Sequence, residues 1–455
     1  MTALKYTLFH SLAAVAMTAP TPAMAQSDSA EIESLRAEVA ALKEQLAAIS
    51  AKLDTVAAAP IAVPAPVTAT PAILAPEKKG GPEIKFKGAP EISTADGWSF
   101  KPRGRIQVDV ASVNPSGTIA TNSLGIGDEF RRAYLGVEGT IPGGFGYRAE
   151  ADFANSAVDL TDVYLTYKTG TTTITLGQHK PFWGLEEITS DLFTSFTERA
   201  AFHGAFGFER RVGLSGTYAG KTILLQGGAF TDNAADLNSD SNNSRSFDGR
   251  VVFMPKLGNT QLHLGGSAHF RKFNDIATTA RYRARPLAHT TDLRLVDTRA
   301  FTATGENSFG LEALVNSGRL HVQTEGHWLK ASRPGALADP TFFGGFAEIG
   351  YFLTGDTLGY KAGAIDRTKV AKPLDKGGIG ALQVNARYDY LDLIDAGIIG
   401  GKQQAFGLSL IWMPSDYVRF IANYGHLKID DSPVLASGSS DYDADVVGVR
   451  AQVDF

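Results

Sequence analysis

The sequence of 455 residues contains no cysteine, so its fold cannot depend on disulfide bonds or on thiolate metal sites. It also lacks an excess of positive charge: a formal net charge of -5 argues against a broad nucleic-acid-binding surface. No His-Glu-x-x-His motif, metal-spaced carboxylate cluster or Ser/His/acid arrangement occurs. We therefore predict no enzyme activity, no catalytic residue, no cofactor, no metal site and no nucleic-acid partner.

Long apolar runs are also missing, except near the start of the chain. Lys5 supplies a positive charge, residues 8–17 are mostly apolar, and Ala23-Met24-Ala25 offers a small-x-small cleavage site. The apolar stretch is shorter than the roughly 20 residues that a membrane-spanning helix needs. We expect residues 1–25 to be a cleaved secretory signal peptide; an uncleaved N-terminal anchor is the alternative.

Residues 26–56 carry a regular apolar pattern, with spacings that alternate between three and four. The apolar positions are Ile32, Leu35, Val39, Leu42, Leu46, Ile49 and Leu53. This heptad pattern predicts a short parallel coiled-coil helix, with a lone amphipathic helix as the alternative. Residues 57–99 follow as an Ala/Pro-rich linker, a composition that favours extended, semi-rigid structure.

From about residue 100 the apolar pattern changes to a period of two. Ile106, Val108 and Val110 alternate with Arg105, Gln107 and Asp109, for example. A soluble sandwich would also alternate, but about sixteen such segments follow one another, and bacterial barrels need an even number. We therefore predict an all-β fold over residues 100–455, a sixteen-stranded antiparallel transmembrane β-barrel.

The connections between these segments fall into two groups. Short turns with Pro and Gly alternate with long polar stretches at 113–128, 180–208, 231–246, 271–307 and 428–443. Short turns on one rim and long loops on the other are typical of outer-membrane barrels. Residues 355–379 are the exception, because they belong to the short-turn rim and yet are long; the pattern alone gives no account of them.

The last predicted strand is apolar at every second position from Val447 to Phe455. A terminal aromatic residue on such a strand is similar to the signal that outer-membrane assembly machinery reads. A soluble edge strand that ends in Phe is the alternative. The interpretation places the chain in the bacterial outer membrane, among lipid, with the coiled coil in the periplasm.

Several motifs occur in an order that resembles the phosphate-selective porins O and P. They are RGRIQ at 103–107, FRRAYLGVEG at 130–139, LTDVYL at 160–165, LGQHKPF at 176–182, TER at 197–199, RRVG at 210–213, YFLTGD at 351–356, ARY at 386–388, LDL at 391–393 and GG at 400–401. The resemblance spans roughly 100–455. It implies a sixteen-stranded homotrimeric barrel whose loops fold inward and narrow an anion path.

The resemblance also implies which basic residues form that path: Arg103, Arg105, Arg131, Arg132, Lys180, Arg199, Arg281, Arg283 and Arg285. Arginine suits phosphate because its planar fork donates paired hydrogen bonds and stays charged. Strand parity points Arg103 and Arg105 into the lumen. Arg131 and Arg132 are adjacent, so both can face inward only if a bulge rotates one of them. Arg281, Arg283 and Arg285 alternate with Tyr282 and Ala284, so the three guanidiniums would lie on one side of an extended chain. Counting this stretch as a strand would give the barrel seventeen strands, so it is better interpreted as a loop or a strand extension.

Two functions remain open at this stage. The first is a passive diffusion channel for small anions, with phosphate or pyrophosphate as the expected solute. The second is a general or weakly selective porin whose coiled coil anchors the barrel in the periplasm or cell wall. In that case inward carboxylates would neutralise the arginines, and Glu138, Glu150, Asp152 and Asp162 are close enough in sequence to pair with Arg132 and Arg148.

Overall fold

The computed structural model describes residues 81–121, 124–154, 158–236, 243–274 and 279–455, together with Ala40, Lys43 and Glu44. The predicted signal peptide, nearly all of the predicted coiled coil and residues 57–80 of the predicted linker lie outside the described residues. The chain divides into two units, residues 1–77 and residues 78–455. A search of the described residues finds no helix that is long and apolar enough to cross a membrane.

The regular secondary structure in the described part of the second unit consists almost entirely of strands. In chain order they are β1 (Glu83–Lys87), β2 (Ala89–Ser93), β3 (Ser99–Pro115), β4 (Gly125–Ile141), β5 (Phe145–Asp152), β6 (Asp159–Thr169), β7 (Thr172–His179), β8 (Arg211–Ala219), β9 (Ile223–Phe230), β10 (Arg245–Phe253), β11 (Lys256–Leu257), β12 (Thr260–Lys272), β13 (Thr279–Ala280), β14 (Arg283–Ala284), β15 (Val296–Asp297), β16 (Phe301–Thr302), β17 (Gly305–Ser317), β18 (Leu320–Ser332), β19 (Thr341–Phe352), β20 (Gly359–Lys361), β21 (Ala364–Asp366), β22 (Ala381–Asp395), β23 (Ile398–Ser415), β24 (Val418–Asp430) and β25 (Tyr442–Asp454). Two short helices, α1 (Leu185–Ile188) and α2 (Ala201–Ala205), and a 3-10 turn at Leu374–Lys376 complete the secondary structure of the described part of the second unit.

Sixteen of these strands, counted over the described ranges, form one closed antiparallel barrel. They are β3 to β10, β12, β17 to β19 and β22 to β25. The barrel closes where β25 pairs with β3, with Val449 opposite Val110 and Gln452 opposite Gln107. The predicted sixteen-stranded antiparallel barrel is therefore confirmed.

The alternating sequence pattern separates the two faces of the barrel wall. On β3 and β25, Ile106 and Val449 are 43% and 47% exposed on the outer face, while Gln107 and Arg450 are fully buried on the inner face. An apolar outer face suits lipid, and closure satisfies every strand edge that lipid would otherwise leave unpaired.

The last part of the predicted linker differs from the expectation. β1 and β2 form a hairpin around Gly88, whose φ of 84° is a conformation that favours glycine. Its second strand pairs with the start of β3, Ile92 opposite Phe100. Residues 83–93 are thus an added piece of sheet, because their period of two, unlike the Ala/Pro tract before them, supports strand pairing.

Three connections fold into the lumen and fill much of it. Residues 180–210, which carry α1 and α2, pack against residues 279–304 through a cluster that includes Phe202, Tyr282 and Phe342. Residues 353–380 enter from the short-turn rim and pack on α1 through Leu185, Leu358 and Ile365. The stretch around 281–285 is therefore a loop with two-residue strands, and the unexplained segment 355–379 is part of the lumen filling.

Candidate functional site

Two of the cavities in the lumen share lining residues with each other. The upper cavity, of about 320 Å³, lies towards the long-loop rim and is bounded by β4, residues 180–210 and residues 283–294. The lower cavity, of about 460 Å³, lies towards the short-turn rim and is bounded by β3 to β6 and residues 361–367. Lys180, Asp191 and Arg210 line both cavities and so mark the passage between them.

Arg131 and Arg132 both face the lumen because β4 carries a bulge at this point. Gln107 of β3 pairs with Arg132 while its neighbour Val108 pairs with Phe130, so Arg131 is the extra residue. Arg131 then reaches Glu198 at 2.9 Å, and Arg132 reaches Asp191 at 2.6 Å. The bulge that the adjacent arginines required is present, and it delivers both guanidiniums to the upper cavity.

Asp191 is the carboxylate at the junction. It bonds Arg105 from β3 as well as Arg132 from β4, so one carboxylate holds two strands to the inward loop. Burial alone would raise the pKa of Asp191, but Arg105 and Arg132 hold that pKa well below its usual range. Asp191 is therefore ionised at neutral pH, and it offsets part of the positive charge around it.

Lys180, directly after β7, is the lysine at the same junction. Its ammonium lies 2.9 Å from Glu187 on the same loop and also donates to the Glu187 carbonyl. Arg199 contacts the same Glu187 carboxylate at 3.5 Å. Burial, followed by repulsion from Arg199, lowers the pKa of Lys180 to about 8. Its charge can therefore change within the range in which bacteria live.

The three arginines of residues 281–285 do not line the same cavity. Arg283 and Arg285 line the upper cavity together with Arg294. Arg281 lines a separate cavity near β12 and bonds Asp297 at 2.8 Å. The alternation predicted three guanidiniums on one side, but this stretch pairs over only two residues, so strand parity does not hold along it.

The wall of the lower cavity carries charges of alternating sign across neighbouring strands. Arg103 pairs with Glu138 at 2.7 Å, and Glu138 also pairs with Arg148 at 2.7 Å. Asp162 continues the row, 3.4 Å from Arg148 and 2.6 Å from Arg210. The predicted pairing of Arg148 with these acids is confirmed, whereas Arg132 turns to Asp191 instead.

The two cavities differ in charge balance. Eight Arg and Lys side chains and three carboxylates line the upper cavity. The lower cavity has eight basic side chains against six carboxylate side chains. The excess of positive charge therefore lies on the long-loop side, and a cleft lined by an excess of one charge sign concentrates ions of the opposite sign.

Eight of the nine predicted path residues line one or both cavities, and Arg281 alone does not. The prediction missed other basic lining residues, namely Lys101, Arg148, Arg210, Arg294, Lys361 and Arg367. Arg210 belongs to a motif already noted in the sequence, and Arg148 alternates with outward residues of β5, so both had a usable signal. Lys361 and Arg367 had none, because they lie in the segment 353–380.

Phe455 lies beside the start of the barrel. Its backbone exchanges two hydrogen bonds with Gly104 of β3, at 3.0 and 3.1 Å. A Cβ added to Gly104 would lie 2.1 Å from the Phe455 ring, so the aromatic ring occupies the space that glycine leaves. The terminal residue thus fits into the seam between the first and last barrel strands.

A closed barrel with an apolar outer wall and a charged, loop-narrowed lumen defines a β-barrel channel of the outer membrane. The chain belongs to the family of phosphate-selective porins O and P, whose model matches residues 100–455. It is therefore a porin.

The chain is also similar to individual proteins. An uncharacterised protein of Caulobacter vibrioides is 46% identical over 382 residues, covering 82% of this chain and 77% of its own length. Among solved structures, OmpT, an outer membrane protein of Vibrio cholerae, matches with a TM-score of 0.52 at 11% identity, over 80% of this chain and 99% of its own. The outer membrane channel DcaP of Acinetobacter baumannii matches with a TM-score of 0.50 at 12% identity, over 80% and 99%. At these identities the likeness to the solved structures concerns the fold.

Proposed function

We propose that this porin is a passive diffusion channel for small anions, with phosphate and pyrophosphate as the expected solutes. The observation that carries the proposal is the excess of basic over acidic side chains around the upper cavity. An anion entering from the long-loop rim meets Arg283, Arg285 and Arg294 first. It then passes Arg131 and the Lys180–Arg210 junction, and leaves along Arg103 and Arg105.

Arginine gives this path its preference for oxyanions. Each guanidinium can donate two parallel hydrogen bonds to a phosphate or carboxylate, and it remains charged at any working pH. The acids in the lumen keep the site from holding the ion too firmly. Conduction needs binding that is favourable enough for entry and weak enough for exit, and the mixed charges of the lower cavity meet the second condition.

Competition between phosphate and chloride tests the solute preference. Chloride current through the purified porin in a planar bilayer is titrated with phosphate, and we expect phosphate to reduce it. Arg283→Gln should raise the half-inhibiting phosphate concentration several-fold, because Arg283 is exposed to the upper cavity. Arg281→Gln is the matched control on the same loop and should leave that concentration unchanged. Chloride current that does not respond to phosphate would contradict the phosphate preference.

The ion pairs of the lower cavity support the alternative of a general, weakly selective porin. There Glu138 and Asp162 each contact two arginines, which reduces the field that an anion experiences. In this alternative the predicted coiled coil anchors the barrel in the periplasm or cell wall, and both roles can coexist in one protein. A phosphate titration without effect, together with a small preference for chloride over potassium, is the result that this alternative predicts.

We also propose a homotrimer, with residues 1–25 removed on export and the predicted coiled coil in the periplasm. The heptad pattern of residues 29–54 supports self-association, and Vibrio cholerae OmpT has been solved in a trimer form. Deleting residues 29–54 and measuring mass in detergent tests the role of the coiled coil. A trimer that survives the deletion would show that the barrel wall suffices for assembly.

A further inference from the structure

The upper cavity has an apolar side that the passage of inorganic anions does not need. Phe208 lines it, and its ring is held in place by stacking on Trp183 at a centroid distance of 4.2 Å and an angle of 17°. Leu287 lines the cavity from the opposing loop, and Gly204 of α2 faces it without a side chain. Apart from its chain neighbours and the backbone of its own helix, no atom lies within 4 Å of the position that a Cβ of Gly204 would occupy, so this part of the cavity is open.

A cluster of three arginines, Arg283, Arg285 and Arg294, lies on the same loop as Leu287. Arg285 bonds Asp292 at 2.8 Å, but the Asp292 side chain is 91% exposed and points its charge at solvent. Burial, followed by repulsion from Arg285 and Arg283, lowers the pKa of Arg294 to about 10. The cluster therefore keeps an excess of positive charge next to an apolar surface.

We propose that the upper cavity binds small aromatic carboxylates, with the carboxylate on Arg283, Arg285 and Arg294 and the ring against Phe208, Leu287 and the open space at Gly204. The inference rests on the proposed anion channel and names a class of organic solute for it. A volume of about 320 Å³ fits a small organic ligand and exceeds what a single phosphate fills. Aromatic rings also stack on phenylalanine and on guanidinium planes, which gives such a solute a second source of affinity.

Benzoate and acetate are the probes, because they carry the same carboxylate and differ by the ring. Each is titrated against the chloride current of the purified porin. The half-inhibiting concentration should be about two- to tenfold lower for benzoate, the range expected for an added aromatic contact. Equal concentrations for the two anions would overturn the proposal.

Gly204→Leu tests the location of the site. The new side chain enters open space and favours the helix, so the barrel should fold while the room for the ring is lost. We expect the half-inhibiting concentration of benzoate to rise to that of acetate, while the half-inhibiting concentration of acetate stays unchanged. Gly216→Leu is the matched control, since Gly216 is equally open but lies on the outer wall, paired with Gly227. If Gly204→Leu weakens the inhibition by both anions alike, or by neither, the location of the site is wrong.

Leu287→Asn provides a second test that does not depend on α2. Leu287 has a φ of 53°, a conformation that asparagine tolerates well, so the substitution removes apolar surface with little strain. The substitution should also raise the half-inhibiting concentration of benzoate towards that of acetate. A wild-type porin that prefers potassium over chloride would overturn the proposed function as well, whereas a chloride-preferring porin that treats the two carboxylates alike would overturn only this inference.

Discussion

Lys180 is the one lysine in the passage that both cavities share, and its surroundings make its charge dependent on pH. Because burial and Arg199 lower its pKa to about 8, Lys180 is charged below that pH and neutral above it. We therefore expect the preference for chloride over potassium to fall as the pH rises from 7 to 9. Lys180→Gln should remove this dependence, while Lys361→Gln in the lower cavity should keep it. Equal pH profiles for wild type and Lys180→Gln would contradict the role of Lys180.

Arg450 illustrates how a buried charge on the inner wall is held. Its side chain is fully buried and bonds Asp109 twice, both at 2.7 Å, with Glu198 of the inward loop at 3.3 Å. Arg450→Met leaves these carboxylates without that partner, so we expect a loss of about 3–5 kcal/mol in the free energy of unfolding. Lys330→Met, which breaks an exposed pair with Asp339, should cost about 0–1 kcal/mol.

Guanidinium unfolding in detergent, followed by the shift between folded and unfolded bands on a gel, measures both variants. Similar unfolding midpoints for Arg450→Met and Lys330→Met would show that the buried pair contributes no more than the exposed one. Because Glu198 also holds Arg131, the Arg450 variant should in addition loosen the inward loop, which protease sensitivity of residues 180–210 can report.

Single residues also show what sequence can and cannot predict. The neighbouring Arg131 and Arg132 required a bulge, and the register shift supplies it, because steric alternation along a strand is a local rule. The same rule failed for Arg281, since residues 279–284 do not continue as a strand. Ion-pair partners such as Asp191 for Arg105 and Arg132 could not be predicted, because they join positions about 60 to 86 residues apart.

At the scale of elements, the barrel strands and the segments inside the barrel differ in how far sequence specifies them. Each strand carries its own alternation, so strand positions follow from local pattern. The segment 353–380 is held by distant partners: Arg250 donates to the Gly363 carbonyl at 2.8 Å, and Arg367 bonds Asp454. Contacts between distant residues produce no periodic pattern in the sequence, so the fold of this segment could not be predicted.

The seam between β3 and Phe455 allows an element-scale test of the proposed assembly signal. Phe455→Ala should lower the amount of folded porin in the outer membrane, because it removes the terminal aromatic ring. Gly104→Ala should lower it too, since its Cβ would overlap that ring. Gly216→Ala, with open space around it, is the control and should assemble normally. Normal assembly of Phe455→Ala, measured by the folded band in outer-membrane fractions, would contradict the signal.

At the scale of the whole molecule, the class of protein followed from repetition. One alternating segment fits many folds, but sixteen alternating segments with short turns on one rim and long loops on the other fit a closed barrel. The charge distribution within the lumen needed the structure, because it depends on which loops enter and which acids meet each arginine. The result is an upper cavity rich in basic side chains above a lower cavity that is nearly balanced.

The central claim is that this lumen passes small anions in preference to cations, and the reversal potential of the purified porin in a KCl gradient tests it most directly. The excess of basic side chains predicts a reversal potential whose sign corresponds to chloride permeating faster than potassium, most strongly at low salt, where screening is weak. A reversal potential of the opposite sign, corresponding to potassium permeating faster, would contradict the account.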